Sequence, residues 1–471
     1  MANNQNPQNP DNEINILLQH YRNLRSGNAH GFISEDDFEV IIDYYDSREQ
    51  LPKALEAANF AIELYPYANS LLLRKADLLL CTGKYKSALR VLEQAELLDS
   101  TDINLYILKT DALLANDMPK EAIALLESVL TQFVGKEKID LLFELADVYD
   151  DYDDYDKVFD CLKHILNMNG TNTEALYKIC FWADHTKRNE ESVVLHQKIL
   201  DEHPYCELAW FNLGSAFQGL KLYEKAIDAY EYVIAIDEKF NFAYRNIGDA
   251  CMRLRQWKKA IEYLQKVLTL SKPEEVIFEA IGYCYEKQKL PADARFYYKK
   301  ALHHNPDNAA LYYKIANTYM QQQQWANGVK LLETAIKLSP TTAMYHYNLA
   351  LCVIQQQQYA IAITHIGNAL KYKPKLLKTW DLLLHCLYLD SDWENGMLFT
   401  KKAQMVTDEK PIFLYYEILF MYLLGNIKQA TTLLQYALQV YPKGLKYIIS
   451  IHPALLQNQS FLDAVVTFKL S

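Results

Sequence analysis

Residues 207–240 read ELAWFNLGSAFQGLKLYEKAIDAYEYVIAIDEKF, and the spacing of their apolar side chains decides the fold. Counting Glu207 as one, Trp210 is fourth, Leu213 seventh, Gly214 eighth, Phe217 eleventh, Tyr223 seventeenth, Ala226 twentieth and Tyr230 twenty-fourth. Steps of three, four and seven predict one helix from about Leu208 to Gly219 and a second from about Tyr223 to Asp237. Two helices joined by so short a turn form a hairpin. The eighth and twentieth residues are small because the helices are expected to cross there, where a larger side chain would force the backbones apart.

The same phase returns every 34 residues. The twentieth position reads Ala54, Ala88, Ala122 and then, after a two-residue insertion, Val158, Ser192, Ala226, Ala260, Ala294, Gly328, Ala362, Gly396 and Ala430. The seventeenth is aromatic at Tyr85, Tyr155, Tyr223, Trp257, Trp325, Tyr359 and Trp393. Proline closes the second helix at Pro66, Pro204, Pro306, Pro340, Pro374 and Pro442, where its missing N–H and ring clash stop a helix.

This pattern resembles the tetratricopeptide repeat, in a multi-repeat member of bacterial type. Twelve units are expected: 35–68, 69–102, 103–136, 139–172, 173–206, 207–240, 241–274, 275–308, 309–342, 343–376, 377–410 and 411–444. The resemblance implies an all-α fold, a right-handed superhelical solenoid of helix-turn-helix repeats with a concave inner surface. The pattern weakens at Lys109 and Thr110, at Ser192 and His196, and at Glu417 and Ile418. Residues 1–11 are expected to be a disordered tail. In 12–34, Ile14, Leu17, Leu18, Tyr21 and Leu24 form the stripe of a short helix that either caps the first repeat or dimerises. In 445–471 the helical spacing continues without the repeat, through Ile448, Ile451, Leu455, Phe461, Leu462 and Val465, as a capping segment would.

Composition narrows the function. The net charge is -11, which argues against a nucleic-acid partner, since phosphates call for a basic face. The charge is also polarised: from Glu35 to Asn172 there are 28 acidic and 13 basic residues, whereas after Asn172 there are 29 acidic and 33 basic. No apolar run reaches the ~20 residues of a membrane span, so no membrane insertion is expected. The start, MANNQNPQNPDNE, has no signal-peptide pattern, and eight scattered cysteines suit reduced core thiols, so a cytoplasmic protein is expected.

Chemistry-bearing patterns fail on inspection, and neither enzyme nor cofactor is expected. Gly83-Lys84 lacks the earlier glycine and strand of a phosphate loop. Cys180, His185, His196, His203 and Cys206 fall on different parts of the repeat, away from any common metal. The run Asp150–Asp156, DDYDDYD, lacks the glycine and downstream glutamate of an EF-hand loop and falls on a turn. The tracts Gln321–Gln324 and Gln355–Gln358 read as polar turn filler.

A partner is expected on the first helix of each hairpin, at positions two, five, nine and twelve, the face that lines the groove in the repeats this sequence resembles. Repeat one presents Asp36, Glu39, Asp43 and Asp46 there, and the next three add Asp77, Asp111, Asp140, Asp147 and Asp150. Later repeats present aromatic and apolar residues: Tyr177, Phe181, Phe211, Phe242, Tyr283, Tyr313, Met344, Tyr347, Tyr388, Tyr415, Leu419 and Tyr422. Asn212, Asn246 and Asn348, at position six, are candidates to hydrogen-bond a ligand backbone, and Arg245 with Arg253 makes a small basic island. The reading is a scaffold or adaptor for a protein or peptide, basic and with aromatic or aliphatic anchors. The alternative is a regulatory or specificity subunit of an enzyme complex.

Overall fold

The computed structural model describes residues 10–27 and 31–470. Among them are 27 α-helices, one short 3-10 helix and no strand. None of these helices is long and apolar enough to cross a membrane. The chain divides into two compact units, Met1–Glu238 and Lys239–Ser471, although no linker composition marks the division.

The first unit stacks six hairpins. Their paired helices are Glu35–Asp46 with Leu51–Leu64, Asn69–Cys81 with Tyr85–Leu98, Ile103–Ala115 with Pro119–Val129, Gly135–Asp151 with Tyr155–Met168, Thr173–His185 with Asn189–Glu202, and Glu207–Gly219 with Tyr223–Ile236. The second unit has six more, from Asn241–Arg253 with Trp257–Leu270 to Ile412–Leu423 with Ile427–Val440. In each pair the first member is the A helix and the second the B helix.

Each hairpin turns in the same way. Position fifteen has a positive φ in all twelve repeats, at Glu49, Gly83, Asp117, Asp153, Lys187, Lys221, Arg255, Lys289, Gln323, Gln357, Ser391 and Gly425. The next N–H then reaches back to the carbonyl of position eleven, as from Leu222 to Phe217 at 2.8 Å and from Gln324 to Tyr319 at 2.9 Å. This six-to-one bond satisfies a carbonyl that the A helix leaves free at its end.

The small positions are explained by contacts more specific than a helix crossing. A Cβ on Gly214 would lie 2.6 Å from the Tyr230 ring, and one on Gly282 2.6 Å from Tyr298, so position eight is small to seat the side chain of position twenty-four. A Cβ on Gly396 would meet Phe420 at 2.5 Å, so position twenty is small to admit the A helix of the following repeat. Position four adds a tie between repeats. Trp210 donates to the carbonyl of Pro204 at 2.9 Å, Trp380 to Pro374 at 2.7 Å and Tyr106 to Ser100 at 3.0 Å, each six residues earlier.

The units are closed by non-repeat helices. At the start, Pro10–Arg25 buries Leu18 and Tyr21, with Tyr21 edge-on to Phe38 and Phe60 of the first repeat. This helix takes in Pro10 and Asp11, inside the expected tail; residues 1–9, 28–30 and 471 lie outside the described residues. At the other end, Lys443–Ile451, Pro453–Gln457 and Gln459–Leu470 bury Ile448, Leu455, Phe461 and Val465 against the last repeats.

The irregular repeats find partners for their polar residues. Lys109 is buried and pairs with Glu96. Glu417 accepts from Gln404 at 2.8 Å. His196 and Ser192 are fully enclosed: His196 Nδ1 lies 2.7 Å from the Ser192 carbonyl, and Asn212 Nδ2 lies 3.2 Å from His196 Nε2. Burial holds this imidazole well below its ordinary range, at about 4, so it is neutral at physiological pH.

Candidate functional site

In the first unit the A helices of repeats one to four bring carboxylates into a row. Three of them, Asp77, Asp111 and Glu144, are raised in part by a neighbour on the adjacent helix. Loss of water and then the charge of Asp46 raise Asp77, with Arg74 opposing. Loss of water and the charge of Asp77 raise Asp111. Loss of water, followed by the charges of Asp111 and Asp147, pushes Glu144 up to about 7. Four successive helices therefore share one electrostatic face, and its negative charge is only partly balanced. Arg74 lies 3.2 Å from Asp43, and Lys178 lies 3.4 Å from Asp147 and 3.0 Å from Glu174. Asp36, Asp43 and Asp147 are exposed, while Glu39, Asp46 and Asp77 are half-buried. Beside them a cleft of about 470 Å³ is lined by Glu39, Ser70, Arg74, Asp77, Asn104 and Ile107.

The aromatic residues of this unit divide. Tyr177 is 68% and Phe181 61% exposed. Phe211 is half-buried and tilted against Tyr230. Asn212 corrects an expectation: it is buried and donates to the Leu176 carbonyl at 2.7 Å, so its amide knits two repeats together and does not face a ligand.

In the second unit Phe242 is 59% exposed, Tyr283 is exposed beneath the Lys287 ammonium, and Tyr313 is tilted against Tyr345. A cleft of about 330 Å³ lies among Asp249, Arg253, Val276, Glu279, Tyr283 and Lys314. The basic island is neutralised locally, Arg245 by Glu274 at 3.4 Å and Arg253 by Asp249 at 3.8 Å, and Asn246 is half-buried. Asn348 is buried and donates to Asn317.

The last groove positions are covered by the chain's own end. Tyr415 and Leu419 are fully buried, and the Tyr415 hydroxyl donates to the Tyr441 carbonyl at 2.8 Å. Tyr422 meets Phe461 edge-on. The Tyr388 hydroxyl lies 2.8 Å from His452 Nδ1, and Tyr447 donates to Asp381 at 2.6 Å. The expectation that Tyr415 lines an open groove is thus corrected, because the closing segment buries that apolar face, while Tyr388 stays half-buried beside His452. Tyr347 stays half-buried under Lys378.

Sequence reading missed Glu144, which sits at position six, outside the positions two, five, nine and twelve; the acids at position nine of repeats two to four, Asp77, Asp111 and Asp147, were the available signal. It also left Trp182 unassigned and weighed His185 only as a metal ligand, though both adjoin Phe181. Among the described residues, no three His, Cys, Asp or Glu side chains converge where a metal ion could be held.

Three family models match the sequence: "Anaphase-promoting complex, cyclosome, subunit 3" over residues 287–369, and "Tetratricopeptide repeat" over 242–273 and 208–240. No curated protein matches. Among solved structures, the chain is similar to YrrB, described as a TPR protein with an unusual peptide-binding site, at 17% identity over 40% of this chain and 96% of that one, with a TM-score of 0.36. It is similar to the C-terminal part of a TPR repeat-containing protein from Cytophaga hutchinsonii at 15% identity, 54% and 98% coverage and a TM-score of 0.42. It also resembles a chain of the APC/C hetero-tetramer Cut9-Hcn1 at 14% identity, 79% and 99% coverage and a TM-score of 0.28. With the family matches falling on hairpins that share one turn, one pair of small positions and one phase, the chain is a tetratricopeptide-repeat protein, a kind of repeat associated in general with protein–protein contacts.

Proposed function

We propose that the first unit holds a basic segment of a partner protein along the A-helix face of repeats one to four. The supporting observation is the row Asp46, Asp77, Asp111, Glu144 and Asp147, whose central carboxyl groups are raised by loss of water and then by one another's charge. Two nearby cations, Arg74 and Lys178, leave this charge in excess. A partner's lysines and arginines would relieve that repulsion, and the field would speed encounter at low salt. The exposed rings of Tyr177 and Phe181 offer apolar anchors beside the acids. In the second unit Phe242 and Tyr283 offer a separate aromatic face.

The test is a pull-down from native extract with the full chain and with a variant carrying Asp36→Lys, Asp43→Lys and Asp147→Lys. The proposal expects the variant to lose the basic partners, and wild-type capture to weaken as salt is raised. An unchanged set of captured proteins would end the acidic-face reading.

A second reading is favoured by the match of residues 287–369 to a subunit family: a noncatalytic regulatory or specificity subunit of a larger enzyme assembly. Gel filtration of extract separates the two. A subunit elutes stably in a large complex, whereas an adaptor exchanges between free and bound forms.

A further inference from the structure

At the junction of repeats four and five, in the first unit, four rings form a corner. Tyr155, the first residue of its B helix, lies nearly parallel to Trp182, with centroids 5.1 Å apart and planes 20° off. Phe181 lies nearly parallel to His185 at 5.8 Å and 28°. The two pairs stand at right angles: Phe181 meets Trp182 at 4.8 Å and 79°, and Tyr155 meets His185 at 4.7 Å and 81°. Stability does not require this corner to be open, yet it is. Phe181 is 61% exposed, His185 is exposed, and Tyr155 and Trp182 are half-exposed.

The corner adjoins the densest run of negative charge in the chain. Asp150 and Asp151 end the preceding helix, Asp153 and Asp154 lie on the turn into Tyr155, and Asp156 follows it, while the Tyr155 hydroxyl donates to Asp153. Aromatic faces attract cations through their quadrupole, and this chain uses that attraction repeatedly within itself. Lys178 stands over Phe143 at 5.1 Å, Lys157 over Tyr149 at 4.7 Å and Arg188 over Phe159 at 4.3 Å. Arg188 is further tied to Asp160 and Glu191, each at 2.7 Å. Lys178, Lys157 and Arg188 are therefore committed to other rings. Among the described residues no Lys or Arg stands over Tyr155, Phe181 or Trp182.

We infer that this corner receives an arginine side chain of the partner, its guanidinium flat on the open ring of Phe181 and its N–H groups turned toward the neighbouring aspartates. Arginine fits better than lysine because its planar head stacks on a ring while its fork donates in plane to carboxylates; an ammonium is a compact, strongly hydrated point charge. The inference rests on the reading of this unit as the seat of a basic segment and specifies one residue of that segment.

The test measures fluorescence anisotropy of a short lysine-bearing peptide with one arginine, against the same peptide with citrulline or trimethyllysine in its place. Each is titrated with the full-length chain and with the Phe181→Ser and Asp77→Asn variants. Phe181 is exposed enough for its replacement to leave the fold intact. Citrulline should weaken binding to the wild type by about three- to ten-fold more than it weakens binding to Phe181→Ser, where only the loss of charge against the carboxylates remains. Equal binding of arginine and citrulline peptides, or a citrulline loss as large on Phe181→Ser as on the wild type, overturns the assignment. Trimethyllysine binding as tightly as arginine also overturns it, because the site would then read charge alone. If Asp77→Asn weakens all three peptides while arginine and citrulline stay equal, the acidic face stands and only the arginine corner falls. If no peptide binds the wild type, both fall.

Discussion

Single residues carry more of the fold than their chemistry suggests. Ten of the twelve residues at position fifteen hold a left-handed backbone without being glycine, a conformation that costs an L-residue roughly 1–2 kcal/mol. Lys221→Gly or Gln323→Gly should therefore stabilise the chain by about 0.5–1 kcal/mol, and Gln323→Val should destabilise it by a similar amount, read from urea midpoints. The sequence disguised this constraint because Lys, Arg, Gln and Asp at a turn read as solvated filler; only the bond from position sixteen to eleven fixes the φ. His196 gives a pH signature. Its folded pKa, about 4, lies below the ordinary 6.5, so the unfolded chain binds the extra proton between these values. The stability from its neutral form is complete above about 6.5 and is lost as pH falls toward 4, by up to ~1.4 kcal/mol per unit. Urea midpoints at pH 7 and pH 5 check this; replacing the imidazole, as in His196→Leu, should remove that part of the slope.

At the scale of elements, the A helices were legible and the surroundings of their faces were not. Spacing alone identified position eight as small, but the reason, a position-twenty-four side chain seated on it, needed the pair of helices in place. Likewise Asp77 and Asp111 were readable as groove residues, whereas Glu144 came into the row only because its helix stands beside theirs. Its sign is opposite to that of His196. With a folded pKa of about 7 against an ordinary 4.5, Glu144 must ionise away from water and then against the charges of Asp111 and Asp147, a cost complete above pH 7 and relieved as pH falls toward 4.5. Glu144→Gln should thus raise Tm at pH 8, by the equivalent of roughly 1–3 kcal/mol, and have little effect at pH 4.5, by calorimetry. The same substitution should weaken capture of a basic partner.

For the whole molecule, a repeat array has to end, and the ends reset what the repeats present. Each hairpin buries one face on the next, so the last exposes an apolar face unless another element covers it. Here the closing helices take Tyr415 and Leu419 out of reach of a partner and hold the Tyr388 hydroxyl against His452, and Phe461 is fully buried in that cover. Phe461→Ala should cost about 3–5 kcal/mol locally and raise dye binding to apolar surface in the second unit, whereas Leu456→Ala, at an exposed site of the same segment, should do neither. The sequence by itself determined the all-helical class, the hairpin period and the acidic bias, because helical spacing, small residues and charge are properties of the chain read locally. Only the tertiary structure decided which groove positions stay open, which acids repel one another and where rings meet at right angles. Those depend on distances between helices that the 34-residue period places side by side but does not measure.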